Sequence, residues 1–323
     1  MAMKPDWQPS ASLETLRARA RLTAAVRDFF DQRGVLEVET PLLSAAAGTD
    51  PNLEPLVTGY DGPGAPESGA LYLHTSPEFP MKRLLAAGSG PIWQISRVFR
   101  GGERGRRHNP EFTMLEWYRP GWDHHALMDE VAALVAHVLG DARPVRVWTY
   151  AEACAPLGID PHSDGDAELL ERARDLGIAP ASAMDRGGLL DLLLSHQVVP
   201  GLGRGCIDFI CDFPVEQAAL ARIRRDEPPV AERFECYLEG MEIANGFHEL
   251  GDAGEQRRRF QADQETRRRR GQAVLPMDNN LLAGLAAGLP DCAGVALGLD
   301  RLFMVALGAT TIDEVLAFPL ERA

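Results

Sequence analysis

Two segments of the chain alternate apolar and polar residues with the period of a half-buried strand, turn back over a short interval, and alternate again. One runs from "IWQISRVFR" through a basic loop into "EFTMLEWY". The other is "ERFECYLEGMEIANGFHEL", with Glu239-Gly240 as a two-residue hairpin turn. Strands joined so tightly pair antiparallel, and such hairpins leave no room for βαβ crossovers. The expected fold class is therefore α+β: an antiparallel sheet flanked by helices.

Helical patterns surround these hairpins. Ser12 can cap "LETLRARARLTAAVRDFFDQRG", with Leu13, Leu16, Ala20, Val26 and Phe30 on one side and Gly34 as the stop. "VLEVET" follows as a strand ending at Pro41, and 61–69 is a Gly- and Pro-rich surface loop. "LYLHTSPEFPMKRLLAAG" reads as a strand breaking into a helix whose first turn holds Pro77 and Glu78. In "DHHALMDEVAALVAHVLG" the stripe Leu127, Val131, Leu134, Val138 is core. From about 149 to 204 short helices alternate with Gly and Pro, the pattern of a helical insertion within a single domain spanning 1–323.

The 33 basic against 47 acidic residues give a net charge of -14, which disfavours a broad phosphate-binding surface and hence nucleic acid as a partner. Five cysteines without a CxxC pair fit free thiols in a reducing compartment. No apolar run reaches membrane-spanning length and "MAMKPDWQPSASLE" has no apolar leader core, so a cytoplasmic protein without membrane contact is expected.

The hairpins also carry chemistry. Arg100, Arg104, Arg106 and Arg107 precede a His-Asn-Pro-Glu-Phe core and an acidic, aromatic end at Glu116 and Tyr118. A solvated turn would explain the arginines alone. Cations at one end and acid at the other suit a site that joins a polyphosphate to a cationic substrate, since each charge needs its own counter-charge. In the second hairpin, pairing Leu238 with Met241 sets Tyr237 opposite Glu242, with Glu235 diagonal on the same face at roughly 7–8 Å between backbones. Two carboxylates so placed can share Mg²⁺, although two solvated surface glutamates would give the same pattern. Near the end, Gly294 and Gly298 flank a strand that passes at Asp300-Arg301 into an apolar helix; the spacing is not that of a dinucleotide fingerprint.

"FFDQRGVLEVETPLL", "FRGGERGRRHNPEFTMLEWYR" and "GVALGLDRL" resemble, in order, the three signature motifs of class II aminoacyl-tRNA synthetases. "TSPEF", "RHNPEFTMLEWY" and "EIANGFHEL" are most similar to the lysine branch, and the likeness extends from Ser12 to Ala323. It implies an ATP-dependent ligase that forms an acyl-adenylate. By this resemblance Arg100 and Arg301 are the catalytic residues, Arg100 gripping the α-phosphate and carboxylate. Phe112 stacks adenine with Arg301 on its other face, and Glu103, His108, Asn109, Glu242, Ile243 and Gly298 complete the ATP site. Glu235 and Glu242 hold Mg²⁺. Ser76, Pro77, Glu78, Glu116, Tyr118, Asn245, Phe247, Glu249 and Ala296 line the amino-acid pocket. The first motif implies a homodimer, and the run Arg104 to Arg107 is assigned to ATP.

Two positions depart from the family. Gly102 stands where Arg-x-Glu is usual, with the acid one place later at Glu103, and Ala296 replaces a glycine of the lysine branch. The anticodon-binding OB-fold of lysyl-tRNA synthetases has no counterpart ahead of the first motif, so no anticodon binding is expected. A free-standing catalytic domain of this kind resembles the ligases that attach (R)-β-lysine, or lysine, to elongation factor P. Alternatives are a truncated lysyl-tRNA synthetase, a ligase with a small-molecule acceptor, or a catalytically silent regulatory paralogue. The last is disfavoured because Arg100, Glu235, Glu242 and Arg301 are all present.

Overall fold

The computed structural model describes residues 7–179 and 184–323. The first six residues of the amino-terminal stretch read for a leader, and 180–183 of the expected helical insertion, lie outside the described residues. The chain forms two compact units: Met1–Gly121, Gly251–Asp291 and Ala296–Ala323 make one, Trp122–Leu250 and Cys292–Val295 the other.

In the first unit, Ser12 Oγ accepts the Thr15 N–H (3.0 Å) and starts the helix Leu13–Asp31. Its buried residues are Val26, Phe29 and Phe30, whereas Leu13 is 63% exposed and Ala20 is also exposed. The apolar stripe expected along the whole helix therefore occupies only its second half. There Phe30 stacks on Trp93 at 4.8 Å and meets the Trp117 ring edge-on. Arg19, in the first half, is anchored instead by an ion pair to the buried Asp300. Asp300 also accepts the Thr113 N–H (2.6 Å), so one carboxylate ties three elements together.

Strands Ile92–Phe99 and Glu111–Pro120 pair antiparallel from Ile92↔Tyr118 to Phe99↔Glu111, the hairpin expected from the sequence. Residues 113 to 119 are all buried, so both faces of the second strand are covered. The expected "VLEVET" strand shrinks to Leu36–Glu37 and runs parallel to Ile92–Phe99. Exclusion of parallel pairing was thus too strict: a hairpin fixes its own two strands but leaves the outer neighbour free to come from a distant segment. Helix Ala253–Arg269 brings a second correction. Arg267, expected on an exposed helix face with Arg268 to Arg270, is fully buried and donates to the carbonyls of Thr49 (3.0 Å), Asp50 (2.8 Å), Leu53 (2.6 Å) and Ala273 (3.2 Å). Glu54 pairs with it at 3.1 Å. A guanidinium is buried here because five acceptors are gathered around it.

The second unit centres on the hairpin Val230–Leu238 and Met241–His248. Glu239 and Gly240 take φ of +51° and +69°, the left-handed pair that a tight two-residue hairpin turn needs. Leu238 pairs with Met241 and Tyr237 with Glu242 as expected, but the register then shifts, so Cys236 faces Ala244 and Glu235 faces Asn245. Ile243 is the extra residue of this bulge. Ile207–Phe213 adds antiparallel to Val230–Leu238, and Val145–Thr149 adds parallel to Ile207–Phe213. Asp123 caps the helix His124–Leu139, which buries Leu127, Val131, Leu134 and Val138. Helices Tyr150–Cys154, Asp166–Asp175 and Arg186–Leu193 share a core with Ile210, Phe213, Tyr237 and Phe247. All five cysteines are buried and unbridged, and no described helix is long and apolar enough to cross a membrane.

Candidate functional site

Glu116 and Tyr118 lie on one face of Glu111–Pro120, two residues apart, because a strand repeats every second residue. Tyr118 OH donates to Glu116 Oε1 and Ser76 Oγ to Glu116 Oε2, both at 2.7 Å. Ser76 Oγ also accepts the Glu78 N–H (3.0 Å), setting the start of the helix Glu78–Ala86, with Pro77 buried at its cap. One turn on, Lys82 Nζ donates to Glu78 Oε1 at 2.6 Å from a position only 1% exposed. Burial, and then the charge of Glu78, push the Glu116 carboxyl up to about 7, against the pull of its hydroxyl partners and Lys82. Lys82 bonds Glu78, while Glu116 is held by the two hydroxyls. The cluster lacks one positive charge, and a cationic group supplied from outside would settle it.

The basic loop closes where the Arg100 N–H donates to Pro110 O (2.9 Å). The Arg100 guanidinium lies 5.1 Å from the Phe112 ring centre and 3.9 Å from Glu103 Oε1, and its Nε is buried without a partner. A buried donor without an acceptor is costly and rare, so this is a place for a ligand oxygen. Arg301 Nη2 stands 2.6 Å from His108 Nε2. Burial and the Arg301 charge lower the His108 pKa, which keeps the ring neutral and able to accept from the guanidinium. Asn109 is buried with both ends of its amide used: Nδ2 donates to Glu111 O (2.7 Å) and Oδ1 accepts the Leu320 N–H (3.1 Å). Ala296 and Gly298 are the half-exposed positions of the otherwise buried strand Cys292–Gly298, so one strand face is left open there.

The assignment of the whole run Arg104 to Arg107 to ATP does not survive. Arg104 forks onto Glu321 (2.8 and 2.7 Å) and reaches Asp313 (2.9 Å), while Arg106 Nε donates to Thr310 O (2.9 Å). Acidic partners two hundred residues away were invisible to local pattern.

In the second unit the two glutamates are not an isolated like-charge pair. Arg233 Nη2 donates to Glu235 Oε1 at 2.5 Å, and Tyr237 OH donates to Glu235 Oε2. Arg233 itself is fixed by Asn245 Oδ1 (3.1 Å), by Gln217 O (2.7 Å) and by the Phe213 ring beneath it (4.3 Å). Burial raises the Glu235 pKa, Arg233 opposes this, and the charge of Glu242 adds to the rise. Sequence reasoning missed Arg233, although its place two residues before Glu235 put it on the same strand face. Phe247 joins the core around Tyr237, and the Glu249 N–H donates to Cys292 O (3.0 Å).

His124, Glu232 and His248 offer three ligand atoms within 4.8 Å of one another, and neither His124 nitrogen has a partner. The guanidinium of Arg222 argues against a metal there. Its Nη2 lies 2.7 Å from His248 Nε2 and its Nε 3.3 Å from Glu232 Oε2. With Nε2 accepting from Arg222, the proton sits on Nδ1, 2.9 Å from Glu232 Oε2. A cation on Nδ1 would displace that proton and set an Nε2–H against a guanidinium that only donates. The charged pair in the cluster is Arg222 with Glu232, beside the two histidines.

A family model described as tRNA synthetases class II (D, K and N) matches residues 6–322. Proteins named Elongation factor P--(R)-beta-lysine ligase are similar along their whole length. The one from Pectobacterium atrosepticum is 52% identical over 326 residues, covering 100% of both chains. That of Vibrio cholerae is 52% identical over 321 residues, 98% of this chain and 99% of the relative. That of Salmonella paratyphi B is 51% identical over 326 residues, again covering 100% of both.

Proposed function

Since the chain belongs to the class II tRNA synthetases of the D, K and N type, we propose that it activates (R)-β-lysine, or lysine, with ATP and transfers it to a lysine of elongation factor P. The observation that carries the reading is the buried pair Glu116 and Glu78 with a single internal ammonium, in the same unit as the unpartnered Nε of Arg100. The substrate's side-chain ammonium supplies the missing charge at Glu116, aided by Ser76, Tyr118 and Glu78, with Pro77 beside them. Arg100 takes an α-phosphate oxygen, Phe112 stacks the base, and Arg301, held by His108, lies over its other face. Glu103, Asn109 and Gly298 frame the nucleotide.

The substrate carboxylate oxygen attacks the α-phosphorus as the bond to the pyrophosphate oxygen breaks, giving an acyl-adenylate. The amine of the acceptor lysine then attacks the acyl carbon, AMP leaves, and an amide bond remains. Positioning and charge stabilisation suffice, and no enzyme nucleophile is needed. Glu235 and Glu242 are the carboxylates that would hold Mg²⁺, which would supply positive charge to the leaving phosphates; both Glu235 oxygens already accept, from Arg233 and Tyr237, so Glu242 would carry the larger share. Ala296 sets the depth of the pocket and favours the β-amino acid; one methyl is worth roughly 10–200-fold.

Exposed Leu36, Leu42 and Leu43 give the first-motif stretch an apolar surface that a homodimer interface would cover. A net charge of -14 disfavours a polyphosphate acceptor such as tRNA. The test is intact-mass analysis of elongation factor P after incubation with enzyme, ATP and (R)-β-lysine, beside a lysine tRNA charging assay. A gain of one β-lysyl group on the factor with negligible tRNA charging is expected. Comparable charging with an unchanged factor mass would make the chain a tRNA synthetase instead.

A further inference from the structure

The Arg104 guanidinium faces two ways. Its Nη1 donates to Gly105 O and to His108 O, both at 3.3 Å, so it braces the turn of its own loop. Its Nε and Nη2 go to Glu321 and Asp313. The same segment makes three more bonds to the loop: the Ile312 N–H to Arg106 O (2.9 Å), Arg106 Nε to Thr310 O (2.9 Å), and the Leu320 N–H to Asn109 Oδ1 (3.1 Å). His108, whose carbonyl Arg104 holds, is the residue whose ring meets Arg301. Residues 310–321 are thereby joined through Arg104 and His108 to the guanidinium assigned to the nucleotide.

We propose that Arg104 is a positioning residue for ATP: clasped by Asp313 and Glu321, it holds the 104–109 turn so that His108 presents Arg301 to the nucleotide, and it does not itself touch the phosphates. The proposal rests on the functional reading above for what the loop binds, but not for the clasp. A guanidinium satisfied by two carboxylates and two carbonyls has little left to offer a triphosphate. Its ion pairs are part-exposed, with Arg104 at 29%, Asp313 at 37% and Glu321 at 59%, so the clasp weakens with added salt.

Removing the acids separates this from a direct phosphate contact, because the two accounts predict opposite signs. Both Arg104→Ala and the double variant Asp313→Asn, Glu321→Gln should raise the KM for ATP in pyrophosphate exchange, by roughly two- to fivefold. The KM for the amino acid and kcat should change little. Arg104→Lys, which keeps the charge without the fork, should restore only part of the loss. If Arg104 gripped phosphate, freeing it from its acids would leave the KM for ATP unchanged or lower it. Amide hydrogen exchange reads the clasp without any assay of activity: Gly105 and His108, which bond to each other across the turn, should exchange faster in both variants. Faster exchange in both variants of a protein whose parent shows no lysine-dependent activity would overturn the functional reading and keep the clasp. Unchanged exchange at 101–109, or a KM for ATP that does not rise in the acid-free variant, would overturn the clasp.

Discussion

The cluster around Glu116 and the hairpin around Glu235 each hold two carboxylates with little or partial exposure, and they balance that charge differently. Glu235 has an internal counter-ion: Arg233 at 2.5 Å, itself held by Asn245 and Gln217, with Tyr237 on the other carboxylate oxygen. Glu116 is held by hydroxyl partners, while the nearby ammonium of Lys82 bonds Glu78. An internal pair is stable whether or not a ligand is present. A pocket short of one positive charge is less comfortable alone and is relieved by a cation, which is how a site can prefer a diamine to a neutral amino acid.

The sharpest way to break this contrast is Glu242→Gln. If Glu242 helps hold the metal, adenylate formation should slow by the equivalent of about 2.7–4 kcal/mol in the barrier, with amino-acid affinity nearly unchanged. Pyrophosphate exchange at saturating lysine measures it, and an unaltered rate would remove Glu242 from the chemistry. Arg233→Leu should then cost about 3 kcal/mol of stability, the lower end for breaking a buried pair because the arginine side chain is 16% exposed. Urea unfolding of the two proteins gives the number. A neutral effect would mean that Glu235 does not depend on its internal partner.

Glu116→Gln should do the reverse, sparing stability and weakening the substrate. The loss of one charge-assisted contact, about 1.5–3 kcal/mol, predicts a roughly 10- to 150-fold higher KM for lysine, with thermal unfolding at pH 8 unchanged or later. The smallest expected effect concerns pH. The carboxyl of Glu116 ionises near 4.5 when unfolded and at about 7 when folded, so the native state holds the extra proton between those values. Its contribution to stability therefore falls as pH rises from 4.5 to about 7. Cation binding needs the ionised form, so the KM for lysine should rise as pH drops below about 7, by up to about tenfold per unit. Glu116→Gln should flatten that profile, whereas a variant profile parallel to the parent's would assign the titration elsewhere.

Local pattern located the hairpins and the facing of Tyr237 and Glu242, because strand period and turn chemistry are properties of neighbouring residues. It also placed Ser76, Glu78, Glu116 and Tyr118 in one cluster through family likeness, and the structure brings all four together in the first unit. Long-range partners were out of reach. Nothing near Arg267 shows that the 49–54 loop encloses it, and nothing near Arg104 points to Glu321. The bulge at Ile243 also escaped, since a strand with one extra residue reads locally like any other. Arg233 was the exception, an oversight that the period-two pattern itself could have prevented.

The central claim is that Glu116 waits for a substrate cation. Its most direct test is ATP–pyrophosphate exchange with (R)-β-lysine and with the analogue lacking only the side-chain amine, in the parent enzyme and in Glu116→Gln. The parent should prefer β-lysine strongly, and the variant should lose most of that preference while retaining its basal exchange with the neutral analogue. Equal discrimination by the two enzymes would contradict the account.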